Sequence, residues 1–157
     1  MNTLLILNAL WLSLPSIDGA TGAEIGGEVY VPDRQLGVVG TIGARKSVAG
    51  DYSAIAGGVG VEARWYWRSD GPVGWFVGGR GDLALSRTRD VADDRDLGTA
   101  LVLGAQGLFG YRLVPWRQLE LTPSIGLGFR NEHDLSGRLP PWTLGSFTVG
   151  LEVGWLF

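Results

Sequence analysis

The stretch Phe147-Thr148-Val149-Gly150-Leu151-Glu152-Val153-Gly154-Trp155-Leu156-Phe157 decides the fold. Every odd position in it is apolar or aromatic, whereas Thr148, Gly150, Glu152 and Gly154 occupy even ones. A strand sends successive side chains to opposite faces, so this segment has one greasy face and one that is polar or empty. Such a strand suits a sheet with lipid on one side and a polar interior on the other.

Composition agrees with that reading. The 157 residues fit one domain, taken here as 1–157, and include Gly 26 and Trp 7 at a mean hydropathy of only +0.15. No run approaches the roughly 18 uninterrupted apolar residues of a spanning helix. A transmembrane barrel reconciles abundant aromatics with modest hydropathy, because only alternate residues of each strand touch lipid. Cysteine is absent. Thirteen basic against sixteen acidic residues give a net charge of −3, with Lys46 the only lysine. No basic stripe is available for nucleic acid, and nothing in the sequence calls for a cofactor or a metal.

Turn signals divide the chain into strands near 3–14, 20–31, 35–46, 54–68, 73–86, 97–113, 118–130 and 144–157. The segment Leu4 to Leu14 has the length of a signal-peptide core, but no basic residue precedes it and no Ala-x-Ala site follows. Taken as a strand it completes eight, and single-chain bacterial barrels have even strand numbers. The expected fold is therefore all-β: an eight-stranded antiparallel up-and-down transmembrane β-barrel of the bacterial outer membrane. Short connections at Pro32-Asp33-Arg34, Ser69 to Pro72 and Val114 to Arg117 fall on the side of the termini, as periplasmic turns do. Longer polar ones, at Ser47 to Ser53, Arg87 to Asp96 and Asn131 to Thr143, fall on the far side, where Pro15 to Gly19 is the one short connection.

Parity sorts charge from grease. Ile55, Val59, Val61, Trp65 and Trp67 share one face of the fourth strand, and Glu62, Arg64, Tyr66 and Arg68 the other. Extended to every strand, the inward set comprises Glu24, Glu28, Glu62, Asp82, Glu120 and Glu152 with Arg45, Arg64, Arg80, Arg112 and Arg130. Six acids against five arginines is nearly neutral, as paired charges in a narrow lumen require. Inward glycines, Gly58, Gly60, Gly78, Gly104, Gly126, Gly128, Gly150 and Gly154 among them, leave room for arginines, Tyr66 and Phe76. A plugged interior is expected, with Glu62 opposite Arg80. Trp65, Trp67, Trp75, Tyr111, Trp116, Trp155 and Phe157 cluster at strand ends on the terminus side, as an interfacial aromatic girdle does. Trp11, Phe129, Trp142 and Phe147 make a sparser far-side belt.

The stretch Gly60-Val61-Glu62-Ala63-Arg64-Trp65-Tyr66-Trp67, then Gly78 and Gly79, Gly110-Tyr111-Arg112 and Leu119 to Gly128 resemble a family of small outer-membrane barrels of unknown function. Asn2-Thr3-Leu4-Leu5 and Gly22-Ala23-Glu24 are similar to that family's first hairpin. The resemblance implies an architecture like the OmpA transmembrane domain and OmpX, and no activity.

Candidate chemistry is sparse. His133, the only histidine, lies in Glu132-His133-Asp134-Leu135-Ser136, where a base, an acid and a hydroxyl adjoin. This is similar to the lipid A deacylase barrels, but those place His and Ser two apart on a strand, and here they are three apart in an expected loop. Arg87 and Arg89 of the far-side loop are candidates for lipopolysaccharide phosphates. Arg80-Gly81-Asp82 spells an adhesion tripeptide that parity turns into the lumen, and Gly57-Gly58-Val59-Gly60 lacks the strand-to-helix context of a nucleotide site.

The expected function is a monomeric barrel with a structural or surface-interaction role and no catalysis. Its partners would be outer-membrane lipids, lipopolysaccharide at the longer loops, and the barrel assembly machinery through the C-terminal strand. The alternatives are a lipopolysaccharide- or partner-binding barrel, a lipid A hydrolase using His133 and Ser136, a narrow pore, and a soluble lipocalin-like barrel. The last would expose a glycine-rich face short of the Lys and Glu that a solvated surface needs.

Overall fold

The computed structural model describes residues 4–13, 21–67, 71–135, 137 and 142–156, with residues 4–13, 49, 142, 144 and 156 described by their backbone alone. Eight strands follow in chain order: β1 (Leu4–Ser13), β2 (Thr21–Val31), β3 (Leu36–Ala49), β4 (Tyr52–Tyr66), β5 (Gly74–Asp90), β6 (Arg95–Arg112), β7 (Leu119–Asp134) and β8 (Trp142–Leu156). Each pairs antiparallel with its sequence neighbour, and β1 pairs with β8 to close the barrel. Closure leaves no strand edge unpaired, which is what lets a sheet cross a medium that offers no hydrogen bonds. Leu4 to Leu14 was expected as the first strand, and Leu4–Ser13 is one. It carries a bulge between Asn8 and Trp11 against β2.

The far-side strands run longer than the alternation of grease and polarity indicates. The expected loop Ser47 to Ser53 is a two-residue turn, Gly50-Asp51, with Ala49 opposite Tyr52 and Gly50 at φ 60. A glycine adopts that left-handed backbone without a Cβ penalty. Arg87 to Asp96 contracts to a turn over Val91–Asp94, where the Asp90 carboxylate accepts from the amides of Ala92 (3.0 Å) and Asp93 (3.3 Å). β7 continues through Asp134 instead of stopping at Arg130. The ladder extends because neighbouring strands supply hydrogen bonds whatever the side chains are, whereas the sequence signal ends where both faces become polar. Pro32–Arg34 forms one turn of 3-10 helix between β2 and β3. The connections at 14–20 and 68–70 lie outside the described residues.

The faces are sorted as in a membrane barrel. Val61 is 63% exposed and Leu127 69%, whereas Arg64 and Arg112 are at 0%. Burial alternates strictly along β4 from Val59 to Tyr66, with the ionic positions inside. A water-soluble fold has the opposite arrangement.

Candidate functional site

The lumen holds the candidate site, and it divides into two unlike halves. On the terminus side, Tyr30, Tyr66 and Phe76 pack ring against ring, with Tyr66 5.7 Å from Tyr30 and 5.5 Å from Phe76 between centroids. Among them lie Glu28, Glu62, Arg64, Arg112, Glu120 and Glu152, each at 2% exposure or less. Arg64 donates Nε to Glu62 at 2.6 Å and forks onto Glu152 through Nη1 at 2.9 Å and Nη2 at 2.6 Å. Such a fork fixes geometry as well as charge. Arg112 pairs with Glu28, and its Nε lies 3.1 Å from Glu120 without hydrogen-bond alignment. Tyr66 Oη donates to Glu28 at 3.0 Å, and Thr122 Oγ1 to Glu120 at 3.0 Å. The guanidinium of Arg64 sits 5.0 Å over the Phe76 ring and that of Arg112 5.2 Å over Tyr66. Aromatic faces thereby supply the arginines with a second kind of partner in a dry interior.

Small residues make this density attainable. A Cβ at Gly110 would come within 2.6 Å of the Phe76 ring, and one at Gly37 would run into the Glu28 carboxylate.

In the far half, Arg80 donates to Glu24 at 2.6 Å and to Asp82 at 2.7 Å. Arg45 donates to Glu24 at 2.9 Å and lies 3.9 Å from Asp82. Above this cluster a cavity of about 80 Å³ remains, its wall including Ser86, Gln106, Arg130, Glu132 and Thr148. That volume accommodates several waters, at a minimum of roughly 10–15 Å³ each. The plugged interior expected from the sequence is thus confined to the terminus-side half. Glu62 and Arg80 are Cα partners in the β4–β5 register, as expected, but Glu62 accepts from Arg64 while Arg80 turns toward Glu24 and Asp82. Facing positions in a ladder fix backbone neighbours, and long side chains then choose among partners around the whole bore. Tyr30, Gln106 and Glu132 are further lumen residues that lay outside the expected set, although parity along β2, β6 and β7 identifies each.

On the outer surface Trp65, Trp67, Trp75, Trp116 and Trp155 are 42–66% exposed. Trp75 meets the edge of Tyr111 at 4.7 Å and stacks on Phe109 at 5.0 Å. Trp116 lies past the end of β6, and Phe109, one outward position deeper than Tyr111, joins the cluster. Phe157 and the side chains of Trp11 and Trp142 lie outside the described residues; Phe129 at 55% exposure represents the far belt.

His133, expected in a loop, is on a strand. It sits within β7, in register with Leu101, on the exposed face. Ser136 lies outside the described residues. At the far end of the β5–β6 hairpin Arg87 pairs with Asp96 and Arg89 with Asp94, all four well exposed. The hydrogen bond from Arg87 holds the Asp96 carboxyl below its usual range. No cluster of metal-ligating side chains occurs among the described residues.

The same architecture is found elsewhere. The N-terminal β-barrel domain of Pseudomonas aeruginosa OprF is similar at a TM-score of 0.55 and 15% identity, over 100% of this chain and 98% of that one. Neisserial surface protein A is similar at a TM-score of 0.56 and 17% identity, over 99% and 97%. The fold is that of a small outer-membrane β-barrel. No family model matches the chain and no curated protein matches it, so the likeness to an uncharacterised barrel family rests on its short glycine-rich motifs.

Proposed function

We propose that this protein is a monomeric barrel of the bacterial outer membrane, with its termini toward the periplasm. Its role in this reading is structural or surface-interacting and not catalytic, and the ion-paired plug closes the bore. The observation that carries the reading is the inversion of polarity, with valines, leucines and tryptophans exposed outside and arginines fully buried inside. Folding through the barrel assembly machinery by way of β8 fits the aromatic alternation of that strand. His133 lies on the exposed face of β7, in register with Leu101, and not in the lumen, which favours the non-catalytic reading.

Two substitutions in β8 test the face assignment. Leu151 is exposed and apolar, whereas Thr148 lines the cavity and donates to Gln106. Leu151→Arg is expected to cost roughly 2–4 kcal/mol if it lies near the membrane midplane, and Thr148→Arg much less. Equal folding of both variants into lipid vesicles would reject the membrane reading, as would a monodisperse protein in detergent-free buffer. Planar-bilayer conductance is expected to stay at background, and a steady open channel would reject the plug.

A second reading concerns lipopolysaccharide. Arg87 and Arg89 project from the exposed face at the far end of β5, in register with Ile55 and Ser53 of β4. Cations just beyond an apolar band match lipid phosphates at the outer leaflet. Loss of lipopolysaccharide retention in an Arg87→Ala/Arg89→Ala variant is the expected result.

A further inference from the structure

Counted over the described residues, the plug is not electrically balanced. Four carboxylates, Glu28, Glu62, Glu120 and Glu152, share two guanidiniums, Arg64 and Arg112, and all six residues are at 2% exposure or less. They form two triads of acid, base and acid, Glu62–Arg64–Glu152 and Glu28–Arg112–Glu120, linked where Arg64 lies 3.8 Å from Glu28. With every carboxyl ionised each triad carries one surplus negative charge in a water-excluded space, which is prohibitively costly.

Among the described residues no other cation faces the triads; Arg68, which shares the inward parity of Glu62, Arg64 and Tyr66, lies outside them. β1 contains no ionisable residue from Leu4 to Ser13. From β3 the inward residues at this level are Gly37 and Val39, and from β5 they are Phe76 and Gly78. Arg80, the next cation along β5, is engaged by Glu24 and Asp82. Among the described residues Tyr30 and Tyr66 are the remaining titratable groups at this level, and neither supplies positive charge. Hydrogen bonding within the plug is incomplete on both sides: Glu62 Oε2 and Glu120 Oε2 are buried without a partner among the described residues, as are Tyr30 Oη and Arg112 Nε and Nη1.

We infer that each triad binds one proton, shared between its two carboxyl groups, so that the folded barrel holds two protons at neutral pH that the unfolded chain releases. The two far-half acids Glu24 and Asp82 already face Arg45 and Arg80 and take part in no such binding. Folding takes up the protons, so stability falls as the pH rises through the window between the unfolded carboxyl range and release from the folded triads. The unfolding constant is expected to rise by up to tenfold per pH unit for each proton, hence up to a hundredfold for two.

Infrared spectra of the full chain refolded in lipid vesicles read the protons directly. A carboxylic-acid carbonyl band worth two groups per chain is expected at pH 7. Glu62→Gln and Glu120→Gln should each remove half of it, and the double variant all of it, because loss of either carboxyl leaves its triad neutral. Glu152→Gln should substitute for Glu62→Gln, and Glu24→Gln should leave the band intact. A wild-type spectrum without the band at pH 7 would overturn the inference, whether or not the variants fold. So would stability that tracks sodium, potassium or calcium concentration at fixed pH, which would identify a metal cation as the neutralising species.

Discussion

Around Arg64 and Arg112 the bore is dry and filled, whereas around Arg45 and Arg80 the same ion types border a cavity. Side-chain bulk separates the two regions. The inward positions beside Arg64 and Arg112 carry Tyr30, Tyr66 and Phe76, and those beside Arg80 carry Thr41, Gly60, Gly104 and Ala84. An eight-stranded bore is only as wide as the side chains that fill it. Among the described residues, three rings therefore fill one half, and small residues border the cavity of the other. Arginine consequently has a different role in each half: it holds together a buried array with surplus acid in one, and sits in a balanced, partly exposed array beside a cavity in the other.

The largest test of this contrast replaces one arginine in each half. Arg64→Met leaves Glu62 and Glu152 without their cation and is expected to lose about 3–5 kcal/mol. Arg45, whose side chain keeps 26% exposure, is expected to lose only about 1 kcal/mol in Arg45→Met. Denaturant unfolding in vesicles measures both, and equal losses would erase the distinction between the halves. A steric pair follows. Gly110→Ala drives a methyl against Phe76 and is expected to cost about 1–3 kcal/mol. Gly104→Ala meets Asp82 at an ordinary 3.5 Å and should be neutral, or gain under about 1 kcal/mol from a less flexible unfolded chain.

Double-mutant cycles separate register from pairing. Arg64 with Glu152 should couple by more than about 1 kcal/mol, and Glu62 with Arg80 should be additive to within roughly 0.5 kcal/mol, although only the second pair faces across a ladder. The smallest effect lies outside the lumen. The Asp96 carboxyl is held below its usual range by Arg87, so its contribution is present at neutral pH. It is lost as the pH falls through the acid range below about 4, the ordinary aspartate value. Amide exchange at Thr99, corrected for intrinsic rates, should rise there while the plug stays protected.

Much of this was legible in the chain. The alternation of Phe147 to Trp155, and of Val59 to Tyr66, assigned each residue to lipid or lumen, because a strand has only two faces and a membrane barrel separates them sharply. His133 was misplaced for a related reason: around it polar residues occupy both faces, so periodicity gives no signal although the ladder continues. Phe109 lay one step beyond the expected girdle, within ring reach of Trp75.

The sequence by itself therefore determined the strand count, through its turn signals and the even number that such barrels require, and the inward and outward sets with their near-neutral total of lumen charge, which follow from period-two parity along a single strand. Only the tertiary structure decided which acid meets which base and where the bore fills. Those outcomes depend on closure, which brings Arg64 of β4 onto Glu152 of β8 across 88 positions of sequence and divides the charges unequally between the two halves. Pairing in a closed bore is set by distance across the lumen, and that distance is absent from any one strand.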